Sequence, residues 1–335
     1  MARHRTVRAV VTGGAGFVGS HLCERLLEQG GEVVCVDNFS TGRPGNVRRL
    51  RDVPGFRLVE ADVTGPLPDT GPVDTVFHLA SAASPADYLR LPEETLEAGS
   101  LGTRTALRLA RRYGARMVLA STSEVYGDPL QYPQHEGYWG NVNPIGPRSV
   151  YDEAKRYAEA LTMVYHRTFG TDVAIARIFN CYGPRMRPDD GRAVPTFIAQ
   201  ALAGEPITVT GDGLQTRSIC YVDDTVRGLL ALAGSGATGP VNIGSAEELS
   251  MLRLAELVRR LADSASPIVH VGRPADDPRF RRPDLRLAEE VLDWRPTVRM
   301  EDGLRRTIDW FLTAPAESTP RPAVPAARGG EPAAG

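Results

Sequence analysis

The sequence predicts an α/β protein: a doubly wound parallel sheet followed by a smaller α/β region. Three observations predict it. Short β-branched runs alternate with segments of helical period from residue 7 to residue 178. A glycine-rich turn, Thr12-Gly13-Gly14-Ala15-Gly16-Phe17-Val18-Gly19, joins the first run to the first helical segment. An acid, Asp37, closes the second run. The 335 residues are 42% hydrophobic and 24% charged, enough to bury a core and too apolar for wholesale disorder. The net charge of -2 gives no reason to expect nucleic acid or an anionic membrane as partner. No apolar run approaches the roughly 18–20 residues that span a bilayer.

The elements follow in order. Residues 7–11 read as a buried strand, 13–19 as the glycine loop, and 21–29 as a helix with Leu22, Leu26 and Leu27 on one face. Strands are expected at 32–36, 57–60, 75–79, 116–120 and 173–178, with helices at 95–112 and 150–168. After Asn180 the rhythm changes: helices at 193–203, 222–233, 251–261 and 300–311, and a short strand at 207–209. The expected division is a dinucleotide-binding domain of residues 1–179 plus about 214–240, and a second domain of about 180–213 plus 241–313. Residues 314–335 hold seven Ala, five Pro and one Val as the only large apolar residue, so a disordered tail is expected. The basic start, Met1 to Arg8, runs straight into a strand pattern and reads as no signal peptide. Cys23, Cys35, Cys181 and Cys220 form no C-x-x-C pair, and each sits in an apolar stretch. They are expected to be buried free thiols of a cytoplasmic protein, with no metal site.

The glycine loop satisfies G-x-G-x-x-G through Gly14, Gly16 and Gly19, and G-x-x-G-x-x-G through Gly13, Gly16 and Gly19. Small residues let the backbone turn tightly and approach a pyrophosphate, which the free N–H groups of the helix start attract. Asp37 can accept hydrogen bonds from both ribose hydroxyls and repels a 2′-phosphate, which favours NAD over NADP. Arg43 lies close by, and Asp62-Val63 can hold the adenine edge.

Lys and Arg total 39, and a single lysine, Lys155, leaves 38 arginines. A lone lysine points to a task that a guanidinium does not perform. It lies four residues after Tyr151, on the same helical face. A phenol is a poor base near neutral pH, and an ammonium one turn away is expected to stabilise its phenolate. Tyr151 can then take a proton from a substrate hydroxyl. Thr122 and Ser123 follow a strand, where open α/β sheets place their ligands.

These residues, with the stretches TGGAGFVGSHL, VDNFSTG, STSEVYGDP, YDEAKR, RIFNCYGPRM, GDGLQTRS and ADDPRFRRPD, resemble the extended short-chain dehydrogenase/reductase family, in particular its nucleotide-sugar enzymes, from about Arg8 to Phe311. The resemblance implies an N-terminal Rossmann domain with tightly bound NAD, regenerated each turnover, a smaller C-terminal domain for the nucleotide sugar, and a homodimer. It implies that Gly13, Gly16, Phe17, Val18, Gly19, Asp37, Asn38, Thr41, Gly42, Asp62, Val63, Leu79, Ala80, Tyr151 and Lys155 hold NAD. It places Pro85, Tyr88, Glu124, Asn180, Arg192, Arg217 and Arg281 at the nucleotide sugar.

Within that family the residues after Thr122 decide the chemistry. Ser123-Glu124 lacks the Asp by which 4,6-dehydratases expel a hydroxyl, and resembles the decarboxylases of UDP-glucuronate. The implied reaction oxidises C4, loses CO2 from the 4-keto acid, and re-reduces C4 to give UDP-xylose. Thr122, Ser123, Glu124, Tyr151, Lys155 and Arg281 are the implied catalytic residues. A 4-epimerase of a UDP-uronate remains the alternative. A non-catalytic NAD-binding regulator would be expected to have lost Tyr151, Lys155 or Thr122, and all three are present. The chain departs from the family's usual residues at Ala82 (Pro), Gly99 (Asn), Ala154 (Gly) and Thr210 (Tyr or Phe). The loop residues Tyr138 and Trp139 are expected either to pack in a core or lid, or to touch substrate.

Overall fold

The computed structural model describes residues 6–272 and 280–313; the expected tail and residues 275–279 of the ADDPRFRRPD stretch lie outside the described residues. Strands β1 (Arg8–Thr12), β2 (Glu32–Asp37), β3 (Phe56–Glu60), β4 (Thr75–His78), β5 (Arg116–Thr122), β6 (Val173–Ile178) and β7 (Pro240–Ile243) form one sheet. Its order is β7-β6-β5-β4-β1-β2-β3 and every pair is parallel. Successive side chains of a strand face opposite sides, so both faces must be covered. Ala9, Val11, Val33 and Cys35 belong to the core on one face, and Val10, Val34 and Val36 to the core on the other.

Four helices supply most of the cover: α1 (Phe17–Glu28), α2 (Thr103–Tyr113), α3 (Ser149–Phe169) and α4 (Val222–Gly234). Leu22 and Leu26 of α1 and Leu229 of α4 close the first core, while Leu107 of α2 and Ala158 and Tyr165 of α3 close the second. Each fully buried leucine contributes about 1.5–3 kcal/mol. The strand order reverses between β1 and β4, so a crevice opens at their carboxyl ends, beside Thr12 and His78. Beyond β6 the smaller region pairs Ile207–Thr210 with Ile268–Val271 and Thr216–Ser218 with Glu248–Ser250. The helices Ala193–Ala203, Met251–Leu261 and Met300–Thr313 pack around these strands.

Two expectations are corrected. The boundary at 240 cuts through a strand: Val241, Asn242 and Ile243 register against Ala176, Arg177 and Ile178 of β6, so β7 belongs to the large sheet. The four-residue run Pro-Val-Asn-Ile is too short a pattern to mark a seventh strand. The helix expected over 95–112 is interrupted. Pro92–Glu97 leads into a π turn, Ala98–Gly102, before α2 begins. The turn lets Gly99 lie against α3, where a Cβ at 99 would stand 2.7 Å from both the Cβ and the carbonyl oxygen of Ala154.

Two of the departures from the family are thereby one packing arrangement, since the methyl of Ala154 takes the room that a side chain at 99 would need. Gly99→Asn should cost about 1–3 kcal/mol by overpacking. Denaturant titration should show that loss, and a simultaneous Ala154→Gly should recover part of it.

Candidate active site

The crevice at the switch point is the mouth of a cleft of about 390 Å3 that runs from β2 to the smaller region. Its first part is built by the glycine loop. Gly13 has φ +71°, and a Cβ there would lie 2.7 Å from the Ala80 nitrogen. A Cβ at Gly19 would strike the Gly13 carbonyl at 2.1 Å. Gly16 caps α1 without any side-chain hydrogen bond, so no side chain of the loop takes up the helix's first N–H groups. Asp37 is buried at the end of β2 and accepts from the N–H groups of Ala15 and Phe39, both at 2.9 Å. Burial pushes its carboxyl above the ordinary value, opposed by those N–H groups. Asn38 donates to Asp62 across 2.8 Å, tying the ends of β2 and β3 together. A cradle free of Cβ atoms, open helix N–H groups and a carboxylate fit a dinucleotide with an unphosphorylated ribose.

The middle of the cleft carries the chemistry. Tyr151 and Lys155 both lie in α3 and are buried. Tyr88 stacks on Tyr151 with ring centres 5.3 Å apart and planes 7° from parallel. Thr122 lines the cleft with Tyr151, and its hydroxyl oxygen accepts from the Glu124 N–H at 3.2 Å. The lysine and the phenol lie side by side in the cleft. Lys155 Nζ donates to the Ala120 carbonyl at 2.9 Å and stands 5.8 Å from the centre of the Tyr151 ring. Burial drives the phenol well above its usual range, and Thr122 only partly opposes it. The Ala120 carbonyl takes one of the three ammonium N–H donors, and burial is the largest influence on the phenol. Lys155 itself is pulled down to about 8 by burial, with the charge of Glu159 resisting.

Beside Tyr151 stands a charge cluster. Arg281 grips Glu124 with both guanidinium nitrogens, at 2.5 and 2.7 Å, and Arg148 donates to the same carboxylate at 2.7 Å. Burial alone would raise the Glu124 carboxyl, but the two arginines win and hold it at about 2. Asp152 is buried close by with Oδ1 unpartnered, and burial together with the charge of Glu124 pushes it up to about 7. Two guanidiniums against one firmly ionised carboxylate leave net positive charge facing the cleft, which suits an anionic group on a substrate.

The structure brings the expected residues together in one cleft with a single exception. All fifteen expected cofactor residues, the six expected catalytic residues, and Pro85, Tyr88, Asn180 and Arg192 line it. Arg217 is not among the lining residues; it lies in the strand Thr216–Ser218 and donates to the Thr216 carbonyl at 2.8 Å. Strand alternation at 216–218 aims that side chain, and the sequence motif carries no sign of which way. Arg192 is paired with Asp190, and Asn180 donates to the Ser218 carbonyl at 3.4 Å. Tyr138 stacks on Tyr126, whereas Trp139 is 91% exposed and packs in no core. Sequence reasoning missed Arg148, one turn before Tyr151, and Arg187, which pairs with Asp87 at 2.8 Å. Among 38 arginines only their spacing from Tyr151 and from the RIFNCYGPRM stretch marks them. The four cysteines are buried and free, as expected. Among the described residues no group of His, Cys, Asp and Glu is arranged to hold a metal ion. No described helix is long and apolar enough to cross a membrane.

Residues 9–244 match the NAD dependent epimerase/dehydratase family. The chain is 51% identical over 307 residues to UDP-glucuronic acid decarboxylase 1 of Arabidopsis thaliana, covering 92% of this chain and 70% of that protein. It is 52% identical over 299 residues to UDP-glucuronic acid decarboxylase 3 of the same plant, covering 89% and 87%. Among solved structures, UDP-glucuronic acid 4-epimerase from Bacillus cereus in complex with UDP-glucuronic acid and NAD superposes with a TM-score of 0.79 at 28% identity, over 91% of this chain and 99% of that one.

Proposed function

Because the chain belongs to the NAD dependent epimerase/dehydratase family, we propose that it decarboxylates UDP-glucuronate to UDP-xylose with NAD as a resident cofactor. The observation that carries this reading is the Glu124–Arg281–Arg148 cluster beside Tyr151: a positively charged corner for a sugar carboxylate, next to a general base. NAD, held by the glycine loop, Asp37 and Lys155, supplies a hydride acceptor at C4 that is restored within each cycle.

Tyr151 takes the proton of the C4 hydroxyl and later returns it, with Thr122 and Ser123 holding the oxygen. With C4 a ketone, the carboxyl group stands β to it. The C5–C6 bond breaks, CO2 leaves, and the electron pair passes onto the C4 oxygen as an enolate. The hydroxyls that held the alcohol stabilise that oxyanion. Glu124 and Arg281 orient the sugar and the water that protonates C5. Pro85, Tyr88, Asn180 and Arg192 bound the sugar-diphosphate end, where cations and amide donors match phosphate oxygens. Arg217 is kept as a contact to the nucleotide on the strength of its motif alone.

A 4-epimerase of a UDP-uronate is the second reading, favoured by the fold similarity to the Bacillus cereus enzyme, but at 28% identity against about half for the decarboxylases. Incubation with UDP-glucuronate should release stoichiometric CO2 and give UDP-xylose by mass. A C4 epimer without CO2 would reverse the assignment. Lys155→Arg should keep the fold and lower kcat at least tenfold, because a planar fork cannot reach the Ala120 carbonyl as a compact ammonium does. Near-normal turnover in that variant would refute the role given to the lysine.

The reading extends to assembly and compartment. Leu89, Leu96, Tyr157, Val164 and Phe169 leave apolar surface exposed around α3 and the helix Pro92–Glu97. That surface supports a homodimer. Four free thiols fit a cytoplasmic enzyme.

A further inference from the structure

Arg281 comes from a segment 157 residues beyond Glu124, so something must bring its backbone to the cleft and hold it there. The residues that do so are buried and outside the cleft lining. Gln134 pairs with the Arg281–Asp284 segment as a strand neighbour would. Its N–H donates to the Arg282 carbonyl at 2.9 Å, its side-chain oxygen accepts from the Arg282 N–H at 2.8 Å, and its carbonyl accepts from the Asp284 N–H at 2.8 Å. On the other side, the Ser218 N–H donates to the Arg281 carbonyl at 3.1 Å.

Asn242, fully buried on β7, locks the pairing. Its side-chain NH2 donates to the Gln134 carbonyl at 3.0 Å and to the Asp284 carbonyl at 3.1 Å. Its side-chain oxygen accepts from the Tyr126 hydroxyl at 2.8 Å, and its own N–H donates to Glu136 at 2.8 Å. Two carbonyl oxygens face the amide nitrogen, so only a donor satisfies that position. The network continues into the catalytic strand. Arg177 donates to the Tyr126 hydroxyl at 3.0 Å and grips Glu159, and Glu159 accepts from Ser121, the neighbour of Thr122.

We propose that Gln134 and Asn242 are positioning residues that set Arg281 against Glu124, docking the sugar side of the cleft onto the dinucleotide-binding sheet. The proposal rests on the reading of Arg281 as part of the substrate site. A misplacement on the order of 1 Å is enough to cost about 100-fold in rate.

The test is a double-mutant cycle on the full-length enzyme with NAD bound. Asn242→Asp keeps the shape of the side chain but sets an oxygen against the two carbonyls. Gln134→Leu removes the acceptor of the Arg282 N–H, keeps the two backbone–backbone bonds of residue 134 to Arg282 and Asp284, and leaves β7 untouched, which preserves the test if the first variant folds poorly. Each is made alone and with Arg281→Ala. Expected alone is a kcat loss of about 10- to 100-fold with NAD affinity unchanged. In the Arg281→Ala background the same substitutions should cost at most about twofold, because coupled residues are not additive. Undiminished losses in that background, or an unchanged kcat for Gln134→Leu alone, overturn the positioning role. Normal turnover by Arg281→Ala on its own overturns the reading of the site beneath it.

Discussion

Tyr151→Phe is expected to lower kcat by about three orders of magnitude while leaving the fold and cofactor binding in place. The substitution removes one oxygen. The phenyl ring still stacks on Tyr88, and Lys155 still bonds the Ala120 carbonyl. What disappears is the hydroxyl proposed to exchange a proton with the substrate. General acid–base catalysis by one positioned group is worth about 10²–10⁴ in rate. The buried histidine of β4 does not replace it. His78 is held by Thr12 and Thr103, and burial pulls it down to about 3, so it is neutral and already occupied. The measurement is turnover of UDP-glucuronate, with bound NAD quantified in the same sample. Loss of both together would mean that the hydroxyl positions the cofactor rather than moving the proton, and a rate within tenfold of the parent would remove Tyr151 from the chemistry.

Arg281→Ala should be nearly as severe, and its signature is different. Glu124 would keep Arg148 but lose its two-pronged partner inside a buried site. Breaking a buried ion pair by deleting one member commonly costs 3–5 kcal/mol, and the surviving arginine should reduce that to roughly 2–3 kcal/mol of stability. Turnover should fall about 100-fold or more, because the corner proposed to receive the substrate carboxylate loses charge and shape together.

The pH dependence of stability gives an independent readout. Glu124 is depressed from 4.5 to about 2 in the folded chain. Its ionised form therefore stabilises the protein by ~3 kcal/mol at neutral pH. That contribution is complete above about pH 4.5, and it is lost as pH falls through 4.5 toward 2. In Arg281→Ala the depression should shrink, so the acid limb of the stability curve should flatten in that window. Chemical denaturation across the acid range follows it. An acid limb of unchanged steepness would show that Arg148 alone holds the carboxylate.

The features legible in the sequence were those whose physics is local. The glycine loop declares itself because a tight turn and a close helix–strand approach exclude side chains at fixed spacing, and Gly13 and Gly19 have the contacts expected. Asp37 follows from its place at the end of a β-branched run. Tyr151 and Lys155 follow from the four-residue period of a helix. Glu124 and Arg281 were found through a resemblance of motifs, without any sign that they touch.

What only the tertiary structure decided is everything set by which strand lies beside which. The bonding of Arg281 and Arg148 to one carboxylate joins residues 157 and 24 positions from Glu124. The placement of Asn242 on a seventh strand comes from pairing with β6, which the short run Pro-Val-Asn-Ile could not announce. The bond from Lys155 to the Ala120 carbonyl comes from how α3 is seated on β5. Periodicity along a chain determines which residues share a face. Burial and sheet register determine which faces meet, and hydrogen bonds and charges across that meeting set the chemistry of the site.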